Sequence, residues 1–167
     1  MIHPTASLGK KVKLEWGVEV GPYSFIDGNV TIGKNTKIHT SVSIAGNTSI
    51  GENNIIFPFC SLGSIPQDLK YYGEETYLKI GDSNTFREHC TVNMGTEGGG
   101  FNTIIGNRSL FMTGAHIAHD CIVGNNVIMA NQATLGGHVV IENNAVIGGL
   151  SAIHQFCRIG ELSMIGG

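Results

Sequence analysis

Four of the seven histidines fall between residues 116 and 154, as His116, His119, His138 and His154. An imidazole titrates near neutral pH, so such a group suits acid–base work. His119 is followed directly by Asp120, the pairing of a general base with a carboxylate that orients it. Gly137 has no side chain, so its backbone N–H can come close to a developing oxyanion. A base beside such a donor fits acyl transfer to a hydroxyl. Two other readings stand beside it. Three histidines can hold Zn²⁺ with an open fourth position, and a row of exposed histidines can be no more than a polar ridge.

Whether these residues meet depends on the elements that carry them. Counting by six from Ile2 gives eleven aliphatic residues in succession, through Ile26, Ile32, Ile38 and Ile44 to Leu62. The rhythm returns at Ile80, Phe86 and Val92, slips by one residue, and runs from Ile105 through Ile117, Met129 and Ile141 to Ile165. The next residue is often glycine (Gly33, Gly51, Gly81, Gly124), and the fourth residue after the aliphatic is small or β-branched. All four cysteines occupy that small column, which should point inward, so they read as core residues rather than redox or metal groups. Gly and Asn fit the turns, because both tolerate positive φ. A hexapeptide period of this kind predicts an all-β chain wound as a parallel β-helix, one strand and one turn per six residues.

Three hexads make a coil of 18 residues, so the chain amounts to about nine coils. Residues 18 apart stack on successive coils about 4.8 Å apart. His119 then lies under Gly137 and Gly137 under Gln155. Asp120 lies under His138, His116 under Thr134, and Gly136 under His154. Segments 116–120, 134–138 and 152–156 become one patch. Residues 68–79 and 97–103 lack the pattern and should leave the coil as two loops, where solenoids commonly place function.

The rest of the composition limits the alternatives. Hydrophobic residues make up 41% of one 167-residue domain, too many for a disordered chain. A net charge of −3 gives no footprint for nucleic acid. No apolar run is long enough for a membrane span, and the N-terminus lacks signal-peptide features. A reduced, cytoplasmic protein is expected. The zinc alternative resembles the γ-class carbonic anhydrases, but those pair two histidines five residues apart, and His116 and His119 are three apart. A non-catalytic β-helix scaffold would need no histidine cluster.

The segments Ala115-His116-Ile117-Ala118-His119-Asp120-Cys121, Leu135-Gly136-Gly137-His138-Val139 and His154-Gln155-Phe156 resemble the UDP-N-acetylglucosamine 3-O-acyltransferases. So do Pro66-Gln67-Asp68-Leu69-Lys70-Tyr71, Arg87-Glu88 and Gly98-Gly99-Gly100. The resemblance covers essentially the whole chain. It implies a left-handed β-helix, a homotrimer with sites between subunits, and a place in the bacterial cytoplasm at the first step of lipid A synthesis. It implies acyl carrier protein as donor and UDP-N-acetylglucosamine as acceptor, with no cofactor and no metal. By the same resemblance His119 is the base, Asp120 orients it and the Gly137 N–H holds the oxyanion. Asp68, Lys70, His116, His138, His154 and Gln155 bind substrate or shape the pocket. Many members carry Ile-His-Arg-Gly-Thr where this chain has Val92-Asn93-Met94-Gly95-Thr96, and the family continues into further coils and a C-terminal helical region. On that comparison the chain reads as a truncated member.

Overall fold

A computed structural model describes residues 1–167. The chain is a left-handed parallel β-helix whose strands form three eight-stranded sheets. The first sheet runs from Ser7–Leu8 to Ala152–Ile153, the second from Lys13–Leu14 to Arg158–Ile159, and the third from Glu19–Val20 to Met164–Ile165. Ile2 adds a single bridge to Val20, which begins a ninth rung on the third face. The loop residues lengthen the chain without adding coils.

Each strand is only two to four residues long, so no strand is stable alone; stacking supplies both its hydrogen bonds and its core. The hexad aliphatics point inward and join with the small column in one cluster of 33 buried residues. Phe86 and Phe111 stack inside it at 4.7 Å. The interior also carries a polar ladder. Asn54 Oδ1 accepts the Asn84 N–H and Asn84 Oδ1 accepts the Ser109 N–H, both at 2.9 Å. Each side chain thus satisfies a buried amide of the following coil.

Two sequence expectations need revision. Cys157 is exposed although it sits in the inward column, because no rung stacks over it; Cys60, Cys90 and Cys121 are buried. The recurring glycines mostly do not supply positive φ. That conformation falls three residues after the aliphatic, where Asn53, Asn126 and Asn144 sit, but also Phe59, Asp120, His138 and Phe156. Gly33 is bare for a different reason: a Cβ there would come within 2.6 Å of the Gly51 carbonyl carbon on the next coil.

The loop boundaries differ as well. Tyr77–Ile80 is already strand, paired with Asn47–Ile50 and Asn102–Ile105. The first loop is therefore residues 65–76 instead of 68–79. The second is residues 94–101 instead of 97–103, and it contains a short 3₁₀ turn, Glu97–Gly99. Leu78 and Thr103 show why: both are fully buried in the inward column, two residues before Ile80 and Ile105. Both loops leave the same corner, between the first and second sheets, on consecutive coils. The next coils pass that corner at residues 118–121, 136–139 and 154–157, so the loops stand beside the predicted patch.

Candidate active site

The corner after strand His116–Ile117 carries the pair on which the site is built. His119 Nδ1 lies 2.7 Å from Asp120 Oδ2, with the two side chains 6% and 0% exposed. Asp120 sits in the left-handed region (φ 60°), a conformation Asp adopts more readily than most residues. Its N–H donates to Thr103 Oγ1 at 2.8 Å. Thr96, from the second loop, donates its N–H to Oδ1 at 2.8 Å and its hydroxyl to Oδ2 at 2.6 Å. A carboxylate accepting this many hydrogen bonds is held in one orientation. The acceptor at Nδ1 fixes the His119 proton there and leaves Nε2 as the free acceptor. No protein group bonds to Nε2.

One coil on, Gly137 is buried and its N–H donates to no protein group. His138 meets His119 edge to face at 5.1 Å and stacks on Phe156 of the following coil at 4.5 Å. Gln67, Asp68, Leu69 and Lys70 of the first loop face this corner across a groove of about 460 Å³, whose other wall is His119, His138, Gln155 and Phe156. A contiguous groove of about 560 Å³ extends between the two loops, past Tyr72, Glu74 and Glu97. Asp68 is held in a tight turn, accepting the Lys70 N–H at 3.0 Å.

Seven of the nine residues singled out from sequence thus come together: His119, Asp120, Gly137, His138, Gln155, Asp68 and Lys70. His116 lies on the outer face of the first sheet, its Nδ1 2.7 Å from Thr91 Oγ1. Burial holds its imidazole below the ordinary 6.5, and the nearby His119 adds to this. His154 is exposed at the corner, with Nδ1 3.2 Å from the Gln155 carbonyl. Neither lines the groove.

Asn93 and Met94 stand at the two positions where the sequence departs from the pattern expected of the resembled family. Both are buried, Asn93 donating to the Ile65 carbonyl at 3.1 Å and Met94 packing against Gly46. They serve the base of the two loops, not the groove. The part played by Thr96 and Thr103 was not legible in sequence; the only local signal is the one-residue slip in the hexad period. Metal-ligating atoms of His119, Asp120 and His138 lie within 4.8 Å of one another, but His119 Nδ1 and Asp120 Oδ2 are already bonded to each other.

A β-helix of hexapeptide coils with an imidazole–carboxylate pair at one corner defines the class of hexapeptide-repeat transferases. The family profile "Bacterial transferase hexapeptide (six repeats)" matches residues 29–64 and 102–137. The chain is 51% identical over 133 residues to the acyl-[acyl-carrier-protein]--UDP-N-acetylglucosamine O-acyltransferase of Thermodesulfovibrio yellowstonii, covering 80% of this chain and 52% of that protein. The crystal structure of UDP-N-acetylglucosamine O-acyltransferase from Moraxella catarrhalis superposes with a TM-score of 0.98 at 48% identity, over 99% of this chain and 65% of that one. The enzyme of that name from Campylobacter jejuni gives 0.96 at 40%, over 100% and 65%. Within the class, the chain belongs to the UDP-N-acetylglucosamine O-acyltransferase family. It spans about half the length of the relatives it matches by sequence.

Proposed function

We propose that this chain carries the catalytic corner of an acyltransferase. The enzyme moves an (R)-3-hydroxyacyl group from acyl carrier protein to the 3-hydroxyl of UDP-N-acetylglucosamine, the first step of lipid A biosynthesis, in the bacterial cytoplasm. The observation that carries this reading is His119, tied to Asp120 through Nδ1 with Nε2 unpaired, at a groove in a chain so similar to proteins of that name.

His119 Nε2 takes the proton of the sugar 3-hydroxyl as its oxygen attacks the thioester carbonyl. Asp120 stabilises the imidazolium that forms. The Gly137 N–H donates to the oxyanion of the tetrahedral intermediate. Collapse of the intermediate breaks the carbon–sulfur bond, and the leaving thiolate of the carrier takes the proton back from His119. The products are the ester and the free carrier thiol, so atoms and charge balance without an acyl-enzyme. A thioester is already activated, so this route calls for no metal or nucleophilic cysteine. A positioned base is worth two to four decades in rate, and an oxyanion donor roughly 3 kcal/mol.

Asp68, Lys70, His138 and Gln155 line the groove and are assigned to substrate. His116 and His154 are assigned to the acceptor across a subunit boundary. A homotrimer is supported by the third sheet, whose outer face carries Leu110, Ile128, Val146 and Met164, with Met164 77% exposed.

The test is acyl transfer from hydroxyacyl carrier protein to UDP-N-acetylglucosamine. It is run with the chain alone and with the chain joined to the C-terminal remainder of a relative. His119→Ala should lower the rate at least about 100-fold. A loss of only a few-fold overturns the assignment of the base, and stoichiometric zinc in the purified protein would favour the metal reading instead.

A further inference from the structure

Two imidazoles compete for one carboxylate oxygen. His119 Nδ1 is 2.7 Å from Asp120 Oδ2, and His138 Nε2 is 3.9 Å from that same atom. A small rotation of the carboxylate would pass the hydrogen bond from one ring to the other. The only side chain outside the histidines that bonds to this carboxylate is Thr96. It grips both oxygens at once, N–H to Oδ1 at 2.8 Å and O–H to Oδ2 at 2.6 Å. Turning the carboxylate toward His138 breaks both bonds. Gly99, in the 3₁₀ turn that follows, closes the cover: a Cβ there would overlap the carboxylate itself. The Asp120 side chain is accordingly sealed from solvent.

We infer that Thr96 is a positioning residue: its two-point grip on Asp120 gives the carboxylate to His119 Nδ1 rather than His138 Nε2, and so decides whether His119 has its Nε2 free to act as base. The functional meaning of this choice rests on the acyl-transfer reading above; the hydrogen-bond choice itself does not. The second loop is thereby part of the catalytic apparatus without touching substrate. The loop that lengthens this coil, and slips the hexad period by one residue, brings Thr96 across from the preceding coil.

The proposal is tested on the chain itself by NMR of ¹⁵N-labelled histidine, above the titration of the imidazoles, where ring-nitrogen shifts report which nitrogen carries the proton. In the wild type His119 should be in the Nδ1–H form. Thr96→Val keeps the backbone N–H and the side-chain shape but removes the hydroxyl. It should shift His119 toward a mixture of forms while His138 gains an Nε2–H signature. Thr96→Ser should restore the wild-type pattern. Thr103→Val, which removes the acceptor of the Asp120 N–H, is the control for general damage and should leave the pattern alone. Unchanged His119 and His138 signals in Thr96→Val overturn the inference, as does an equal change in Thr103→Val.

Should the valine variant fail to fold, the wild type still decides. The Thr96 amide proton must be protected from exchange and shifted downfield by its carboxylate acceptor, and a rapidly exchanging one sinks the clamp. The NMR readout needs no turnover. Tautomers that shift as expected, with transfer surviving His119→Ala, would leave the clamp standing and remove the proposed function. The opposite pair of results would do the reverse.

Discussion

The imidazole of His119 occupies the space a side chain on Gly137 would fill. A Cβ at Gly137 would meet His119 Cε1 at 2.5 Å and Nε2 at 2.6 Å, well inside van der Waals contact. The backbone of Gly137 is not in the left-handed region, so alanine is not excluded by φ. Gly137→Ala should therefore fold, displace the ring and lower acyl transfer by at least about 100-fold, the scale of losing a positioned base. Circular dichroism and a steady-state assay check this together. A folded variant with near wild-type rate would show that the ring need not sit where it does.

Burial sets the reactivity of the cysteines. It pushes the Cys121 thiol up to about 12, and Cys60 and Cys90 are also buried, while Cys157 is exposed. Since the thiolate is the reactive form, Cys121 should be alkylated only on unfolding. Mass spectrometry of the labelled peptides checks the assignment. Rapid labelling of Cys121 would contradict the packing of the corner beneath the active site.

His116 gives the fold a dependence on acid. Burial first, and the neighbouring His119 second, hold its folded value below 6.5. The unfolded chain then binds a proton at a higher pH than the native one. The neutral form's contribution is complete above 6.5 and is lost as pH falls through the folded value. His116→Gln removes this titration, so Tm should fall less in the variant than in the wild type between about pH 8 and about pH 5. Equal falls in thermal melts of the two proteins would refute it.

The asparagine ladder is a test of the interior. Asn84 is fully buried, accepts the Ser109 N–H, and donates to the Gly106 carbonyl at 2.9 Å. Asn84→Ala leaves the buried Ser109 N–H and the partly buried Gly106 carbonyl unpaired, at about 1–3 kcal/mol each. Urea unfolding should show a loss of about 2–6 kcal/mol, and a loss below about 1 kcal/mol would mean that water or a rearranged backbone replaces the ladder.

The six-residue period makes much of this architecture legible in the sequence. Ile26, Ile32, Ile38 and Ile44 are all inward and buried, because a strand–turn unit of fixed length returns the same side chain to the same place. At the ends the rule loses force: Ile2 is 47% exposed and Cys157 is uncovered, since the period fixes direction but only a stacked neighbour provides burial. The glycines were visible as a column, yet their reason was not. Close approach between coils is a tertiary contact, whereas the positive-φ position is taken by Asn, His, Asp and even Phe156.

Sequence alone determined the coil, and with it the stacking of His119 under Gly137 and Asp120 under His138, because both follow from counting in eighteens. It could not place what the loops bring. Across them the count fails: Ser61 pairs with Thr91, and Thr91 with His116, 25 residues on. Register there is set by Leu78 and Thr103 finding the inward column again. Only the tertiary structure put the Thr96 hydroxyl on Asp120, closed Gly99 over the carboxylate, and turned His116 away from the groove. A hydrogen bond 24 residues long in sequence shows in the period only as a one-residue slip, which names neither partner.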